Sequence, residues 1–159
     1  IQKLQDEDAL PTQLYLSTNA ADYESFMKIN KPKYDDSWER WNKTLDMLKD
    51  LNTRTVLRIT LIRDHNDQKE SIPAFAEMFR KASPHFIEIK SYMHIGRSTN
   101  RLEYENMLEM DEVKNFSEEI AKQSKIFSIM DESIVSRISI LQNNERFIDR
   151  FISTYANTI

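Results

Sequence analysis

The sequence predicts an α/β fold on three observations. Strand-like and helix-like patterns take turns along the chain. Strands separated by helical crossovers imply parallel pairing through right-handed βαβ units. Parallel strands covered on both faces read as continuous apolar runs, yet three successive strands here alternate, so one face of the sheet meets something polar.

In chain order, QLYLSTN from Gln13 to Asn19 alternates apolar and polar residues, as a half-buried strand does. A helix follows from about Asp35, in which Trp38, Trp41, Leu45, Leu48 and Leu51 recur at spacings of three and four, with Asp35 or Asp36 as its natural N-cap. TRTVLRITLI, from Thr53 to Ile62, is rich in β-branched residues and predicts the second strand. Ser71 can cap the next helix, where Phe75, Met78, Phe79 and Ala82 form one stripe and Pro73 is tolerated in the first turn. HFIEIKSYM, from His85 to Met93, reads as the third strand. After a polar loop that holds the only glycine, Gly96, the residues Val113, Phe116 and Ile120 mark another helix. IFSIM and SRISIL read as two short strands, and Phe147, Phe151 and Tyr155 mark a closing helix. The predicted order is β-α-β-α-β-α-β-β-α.

A length of 159 residues suits one domain with a real core, and 40% hydrophobic with 30% charged residues is ordinary for a globular chain. No apolar run approaches the roughly 20 residues that cross a bilayer. The start, IQKLQDEDAL, resembles neither a signal peptide nor a transit peptide, so an intracellular, cytoplasmic protein without a membrane partner is expected. Its first residue is isoleucine, which hints at a longer chain. The absence of cysteine excludes disulfides, structural Cys-zinc sites and a cysteine-held iron–sulfur cluster on this chain. A formal charge of −4 argues against nucleic-acid binding through net charge alone and leaves room for a local basic rim.

The alternation assigns side chains to faces. Leu14 and Leu16 oppose Gln13, Tyr15, Ser17 and Asn19; Leu57, Ile59 and Leu61 oppose Arg58 and Thr60; Ile87 and Ile89 oppose Glu88, Lys90 and Tyr92. An unpaired charge taken out of water costs several kcal/mol. Such a face therefore either lines a ligand cavity, as a barrel lumen does, or carries an internal network of Arg58, Glu88 and Lys90, or lies open to solvent.

The stretches PTQLYLSTNA, KINKPKYDDSWERW, RTVLRITLI and FIEIKSYMHIGRSTNRL, with NM at Asn106, resemble consecutive motifs of the tRNA 4-demethylwyosine synthases. The resemblance runs from about Pro11 to Leu141. It implies the C-terminal half of a partial (β/α)6 barrel of TIM type over residues 11–105, with residues 106–159 as a helix-strand-strand-helix extension. It further implies a radical S-adenosylmethionine lyase that forms 4-demethylwyosine, in the wybutosine pathway, from N1-methylguanosine in phenylalanine tRNA and pyruvate. The family's 4Fe–4S cluster is held by a C-x-x-x-C-x-x-C motif, so the cluster would belong to a cysteine-bearing N-terminal half or subunit, and this chain alone would be inactive. Where the family has NMP before a histidine, this chain has NMLEM, and the turn after the second strand is RDHN, without the glycine common there.

Carried over residue by residue, the resemblance places Ser17 and Asn19 near the S-adenosylmethionine, with strand-end capping as the structural alternative. Arg58 and Thr60 would face that cofactor or the pyruvate carboxylate, which a guanidinium grips in a bidentate manner. Glu88 and Lys90 would be catalytic and Tyr92 would line the same lumen. Asn66, His94, Arg97, Ser98, Asn100 and Arg101 would lie toward the RNA, with Gly96 allowing a positive φ or a close approach. His65, His85 and His94 lack ligand spacing, so no metal site is expected. Two other readings stay open: a non-catalytic paralogue that binds RNA or a small ligand, and an unrelated α/β scaffold with an ion-paired sheet.

Overall fold

Five strands form one sheet in the order β1-β2-β3-β5-β4 in the computed structural model, which describes residues 1–152. β1 (Gln13–Ser17), β2 (Arg54–Leu61) and β3 (Phe86–Ser91) run parallel, with Ser17 beside Arg58 and Arg58 beside Glu88. β4 (Phe127–Ser133) and β5 (Ile138–Asn143) form an antiparallel hairpin, and β5 pairs antiparallel with β3. The sheet is therefore mixed. The two short strands read from IFSIM and SRISIL widen it beside β3, because a hairpin needs no crossover and can add directly to a free edge.

Side-chain alternation sends Leu57, Ile59 and Leu61 of β2 and Ile87 and Ile89 of β3 to one face, where they are fully buried. Three helices cover that face. α3 (Ser37–Met47) contributes Leu45, α4 (Ile72–Ala82) contributes Phe75 and Phe79, and α5 (Met110–Ser124) contributes Val113, Phe116 and Ile120. Phe75 lies 6.0 Å from both Phe79 and Phe116 between ring centroids, joining α4 to α5. Each such side chain stabilises the fold by about 1.5–3 kcal/mol on burial. α5 begins with a reciprocal cap between Glu109 and Glu112, and it ends at Lys125 in the left-handed region.

Two helices lie outside the sequence expectation. α1 is the short Gln2–Asp6 turn. α2 (Tyr23–Asn30) starts at Asp22, whose carboxylate accepts the Ser25 N–H at 2.9 Å, and it buries Phe26 edge-on against Trp38. With Phe26 its sole buried residue, α2 leaves little periodic signal in the sequence.

The closing helix expected at Phe147 and Phe151 is not present; Tyr155 lies outside the described residues. Residues 145–152 instead run without helix along the polar face, at the strand N-termini. Arg54 there donates to the carbonyls of Asp149 and Arg150, and Gln142 donates to that of Ile148. Phe147 and Phe151 are 79% and 71% exposed, so their spacing of four is no core stripe.

At the same end of the sheet the Thr55 N–H donates to His85 Nδ1 at 3.1 Å. Burial, reinforced by Arg146 and Arg54, pushes the imidazole down to about 4. Unfolded histidine titrates near 6.5, so between these limits the unfolded chain binds the extra proton. Stability should be fully present above pH ~6.5 and fall toward pH ~4, by at most about 1.4 kcal/mol per pH unit from this group. Urea titrations of the wild type and His85→Gln across that window check it: the variant should lack this component of the slope.

Candidate functional site

The polar face is ordered in rungs. Ser17, Arg58, Glu88 and Ile140 are neighbours across four strands, and Thr60, Lys90 and Ile138 form the next rung toward the C-terminal ends of β2 and β3. None of these polar side chains points into the helical layer, as the burial of the intervening residues requires.

Arg58 Nε donates to Glu88 Oε1 at 2.7 Å and its Nη2 to Oε2 at 3.3 Å, a bidentate pair. The guanidinium also lies 4.6 Å over the ring of Tyr15. The hydrogen bonds to Glu88 hold the arginine more firmly protonated than usual. Glu88 is 7% exposed and is committed to Arg58. Lys90 is half-buried and has no carboxylate within ion-pair distance among the described residues. The three-membered network open to the sequence is thus a pair plus a separate ammonium. Two cations facing one carboxylate leave a net positive site, suited to an anion.

Asn19 and Asn66 shape the floor. Asn19 Oδ1 accepts the Thr60 N–H at 3.0 Å, which continues the β1–β2 ladder past the end of β1, the capping alternative. Asn66 is 3% exposed; its Nδ2 donates to the carbonyls of Asn19 and Thr60, and its Oδ1 accepts the Ile62 N–H. With both amide protons used within the fold, Asn66 acts as a structural tie between the end of β1 and β2. Ser17 is exposed at the end of β1, and Thr60 is half-buried on the open face.

Above β3 the chain forms a ledge. Tyr92 is buried, and its hydroxyl lies 3.1 Å from His94 Nδ1. The His94 N–H points at Met107 Sδ, 3.2 Å away. Gly96 has φ +61°, and no heavy atom stands within 4 Å of where a Cβ would project, so the loop requires its backbone freedom and not its small size. Ser98 Oγ donates to the Ile95 carbonyl at 2.6 Å. Arg97, Asn100 and Arg101 are exposed, and neither arginine has an ion pair among the described residues.

Sequence reasoning missed the residue that fastens this ledge. Arg63 donates through Nη1 and Nη2 to Glu112 at 2.6 Å each, through Nε to the Glu105 carbonyl and through Nη2 to that of Met107. Its backbone N–H donates to the Asn106 carbonyl and its carbonyl accepts from Asn106 Nδ2. The hydrogen bond from Arg63 holds the Glu112 carboxyl below the usual range. The available signal was Asn106 itself, in the NM motif opposite the RDHN turn.

A family described as wyosine base formation matches residues 81–143, which span β3 to β5. The S-adenosyl-L-methionine-dependent tRNA 4-demethylwyosine synthase of Methanocaldococcus jannaschii is 43% identical over 141 residues, 87% of this chain and 43% of its own length. Its counterpart in Pyrococcus abyssi is 37% identical over 145 residues, 91% of this chain and 42% of its own length. A solved structure of TYW1 with a lysine–pyruvate adduct bound superposes with a TM-score of 0.79 at 40% identity, covering 90% of this chain and 44% of that one. This chain spans less than half the length of these relatives. Among the described residues no helix is long and apolar enough to cross a membrane.

Replacing Arg63 by Met should free the ledge without unfolding the core, since the side chain is only partly buried. Amide exchange at Asn106 and Met107 should quicken at least about tenfold, as expected for charge-assisted bonds contributing roughly 1.5–3 kcal/mol, while amides of β2 and β3 keep their protection.

Proposed function

This chain belongs to the tRNA 4-demethylwyosine synthase family, matching the C-terminal part of its members, and on that premise we propose that it supplies half of a tRNA-modifying active site. The proposed reaction joins N1-methylguanosine in phenylalanine tRNA with two carbons of pyruvate to give 4-demethylwyosine. One observation carries the reading: identity of 37% or more to named synthases extends over about nine-tenths of the chain. The sheet would then be half of a partial (β/α)6 barrel, with β1 at its open edge continuing into an upstream, cysteine-bearing half.

The side chains fit this role as follows. Arg58, with Nε and Nη2 fixed on Glu88, keeps Nη1 for a carboxylate, either that of pyruvate or that of S-adenosylmethionine. Ser17, Asn19 and Thr60 complete the polar wall at the strand ends, where barrel enzymes place their sites. Lys90 holds an anion at the reacting centre, and Glu88 sets the plane of the guanidinium. Tyr92, His94, Arg97, Ser98, Asn100 and Arg101 make the RNA side. S-adenosylmethionine, when bound, supplies the radical that starts the family's chemistry. A 4Fe–4S cluster does not fit this chain, which has no thiolate, so no step is assigned to it here.

The absence of thiolates also favours a second reading, a chain that binds RNA without chemistry. Fusing the chain behind the upstream part of the P. abyssi synthase separates the two. Expected are a tricyclic base in tRNA by mass spectrometry, no S-adenosylmethionine cleavage by the unfused chain, and turnover reduced at least about tenfold by Glu88→Gln or Lys90→Met with tRNA affinity preserved. A fusion that binds tRNA but forms no product supports the second reading. Full turnover after both substitutions makes the polar face structural.

A further inference from the structure

Tyr104 carries no part of the site described so far. It opens a short 3-10 turn, Tyr104–Asn106, on the ledge above β3, and the residue is 62% exposed. Its ring and that of His94 meet edge-to-face at 6.2 Å between centroids and 74° between planes, and His94 and Tyr92 meet in the same manner at 6.2 Å. The three rings thus lead from the buried end of the polar face out to solvent.

The backbone beneath Tyr104 is fixed from both sides. Glu103 and Asn106 cap the turn reciprocally, Arg63 binds the carbonyls of Glu105 and Met107, and Asn106 reaches back to Arg63. An exposed ring held on such a scaffold surrenders little conformational freedom on binding, which is the property of an aromatic anchor. The nearby Ile95 is 69% exposed, so the ledge offers apolar surface beyond the ring itself.

The charges around the ring select the class of ligand. Arg97 and Arg101, on the adjoining turn, are exposed and free of ion pairs among the described residues. The acids beside the ring are Glu103, whose carboxylate accepts from the backbone of its own turn, and Glu105, which is exposed. A flat ring with free guanidinium groups on the preceding turn of the same loop matches an unpaired base with its flanking phosphates, since RNA is read at splayed bases stacked on aromatic side chains.

We propose that Tyr104, backed by His94, is the platform on which an unpaired base of the tRNA loop stacks, while Arg97 and Arg101 hold the phosphates beside it. The inference rests on the tRNA reading above and adds the mode of recognition. Stacking and phosphate contacts separate by their salt dependence: removing a ring lowers affinity at every salt concentration, and removing an arginine flattens the slope.

The test measures binding of the full chain to phenylalanine tRNA and to its anticodon stem-loop hairpin carrying 2-aminopurine at an unpaired loop position. Tyr104→Ala should weaken both complexes roughly 5- to 100-fold with an unchanged salt slope, and Tyr104→Phe should restore affinity. Arg97→Ala with Arg101→Ala should lower the slope by about 0.7 per lost phosphate contact. Wild type should quench 2-aminopurine and Tyr104→Ala should not. Wild-type binding that survives Tyr104→Ala, with quenching intact, overturns the stacking platform and leaves the tRNA reading standing. A wild-type chain that binds neither RNA overturns both. Matching thermal melts of all variants show that the fold is not the cause.

Discussion

Everything on the polar face follows from the register of β2 against β3. Arg58 sits opposite Glu88 and Thr60 opposite Lys90. Because side chains alternate, a slip of one residue in either strand would turn its charges into the layer of α3, α4 and α5 and expose leucine and isoleucine instead. The fully buried Leu57, Ile59, Ile87 and Ile89 make that slip costly by several kcal/mol, at about 1.5–3 kcal/mol for each buried side chain. Core packing, and not the ion pair, therefore decides where the charges go. The Arg58–Glu88 pair is a consequence of the register, and it stiffens one guanidinium in a fixed plane.

The loops at the C-terminal ends of the strands are held by polar groups that the core cannot supply. Asn66 ties β1 to β2 through three backbone groups, and Arg63 ties the end of β2 to the ledge and to the first turn of α5. Both belong to the RDHN turn and act on segments far along the chain. One short turn thus organises the floor and the rim of the same site. Rigid strands place the Arg58 rung, whereas the rim is placed by side chains and isolated loop backbone bonds, so exchange or substitution will reach it first.

Legibility in the sequence followed the strength of periodic signals. The three alternating strands, their faces and the helices around Leu45, Phe79 and Phe116 could be read because burial repeats every two residues or every three to four. The antiparallel placement of β5 beside β3 could not, since pairing partners are a tertiary property and alternation is the same in either direction. α2 was silent because it buries little beyond Phe26. Phe147 and Phe151 imitated a helical stripe, yet their segment lies where Arg54 takes its carbonyls. At the site, the sequence could name Arg58, Glu88 and Lys90 but not divide them into a pair and a free ammonium, since that depends on which side chains reach each other. Tyr104 and Arg63 had no periodic pattern, being isolated residues whose roles come from loops.

The two ends of the polar face treat their cations differently. At the strand N-termini Arg54 is 8% exposed, its charge disfavoured by burial, and the fold answers with the carbonyls of Asp149 and Arg150 and with the Phe86 ring 4.5 Å away. At the strand C-termini Lys90 receives no carboxylate from the described chain, although Glu88 stands two residues before it on the same face. Arg54 is taken out of water and needs partners from the chain, whereas Lys90, only half-buried, keeps part of its hydration without an internal carboxylate. The fold thus partners the lower cation through two backbone carbonyls and gives the upper one no carboxylate among the described residues. On the proposed reading an anion would meet Lys90 at the end of the sheet that also carries the ledge, Arg97, Arg101 and the exposed Tyr104.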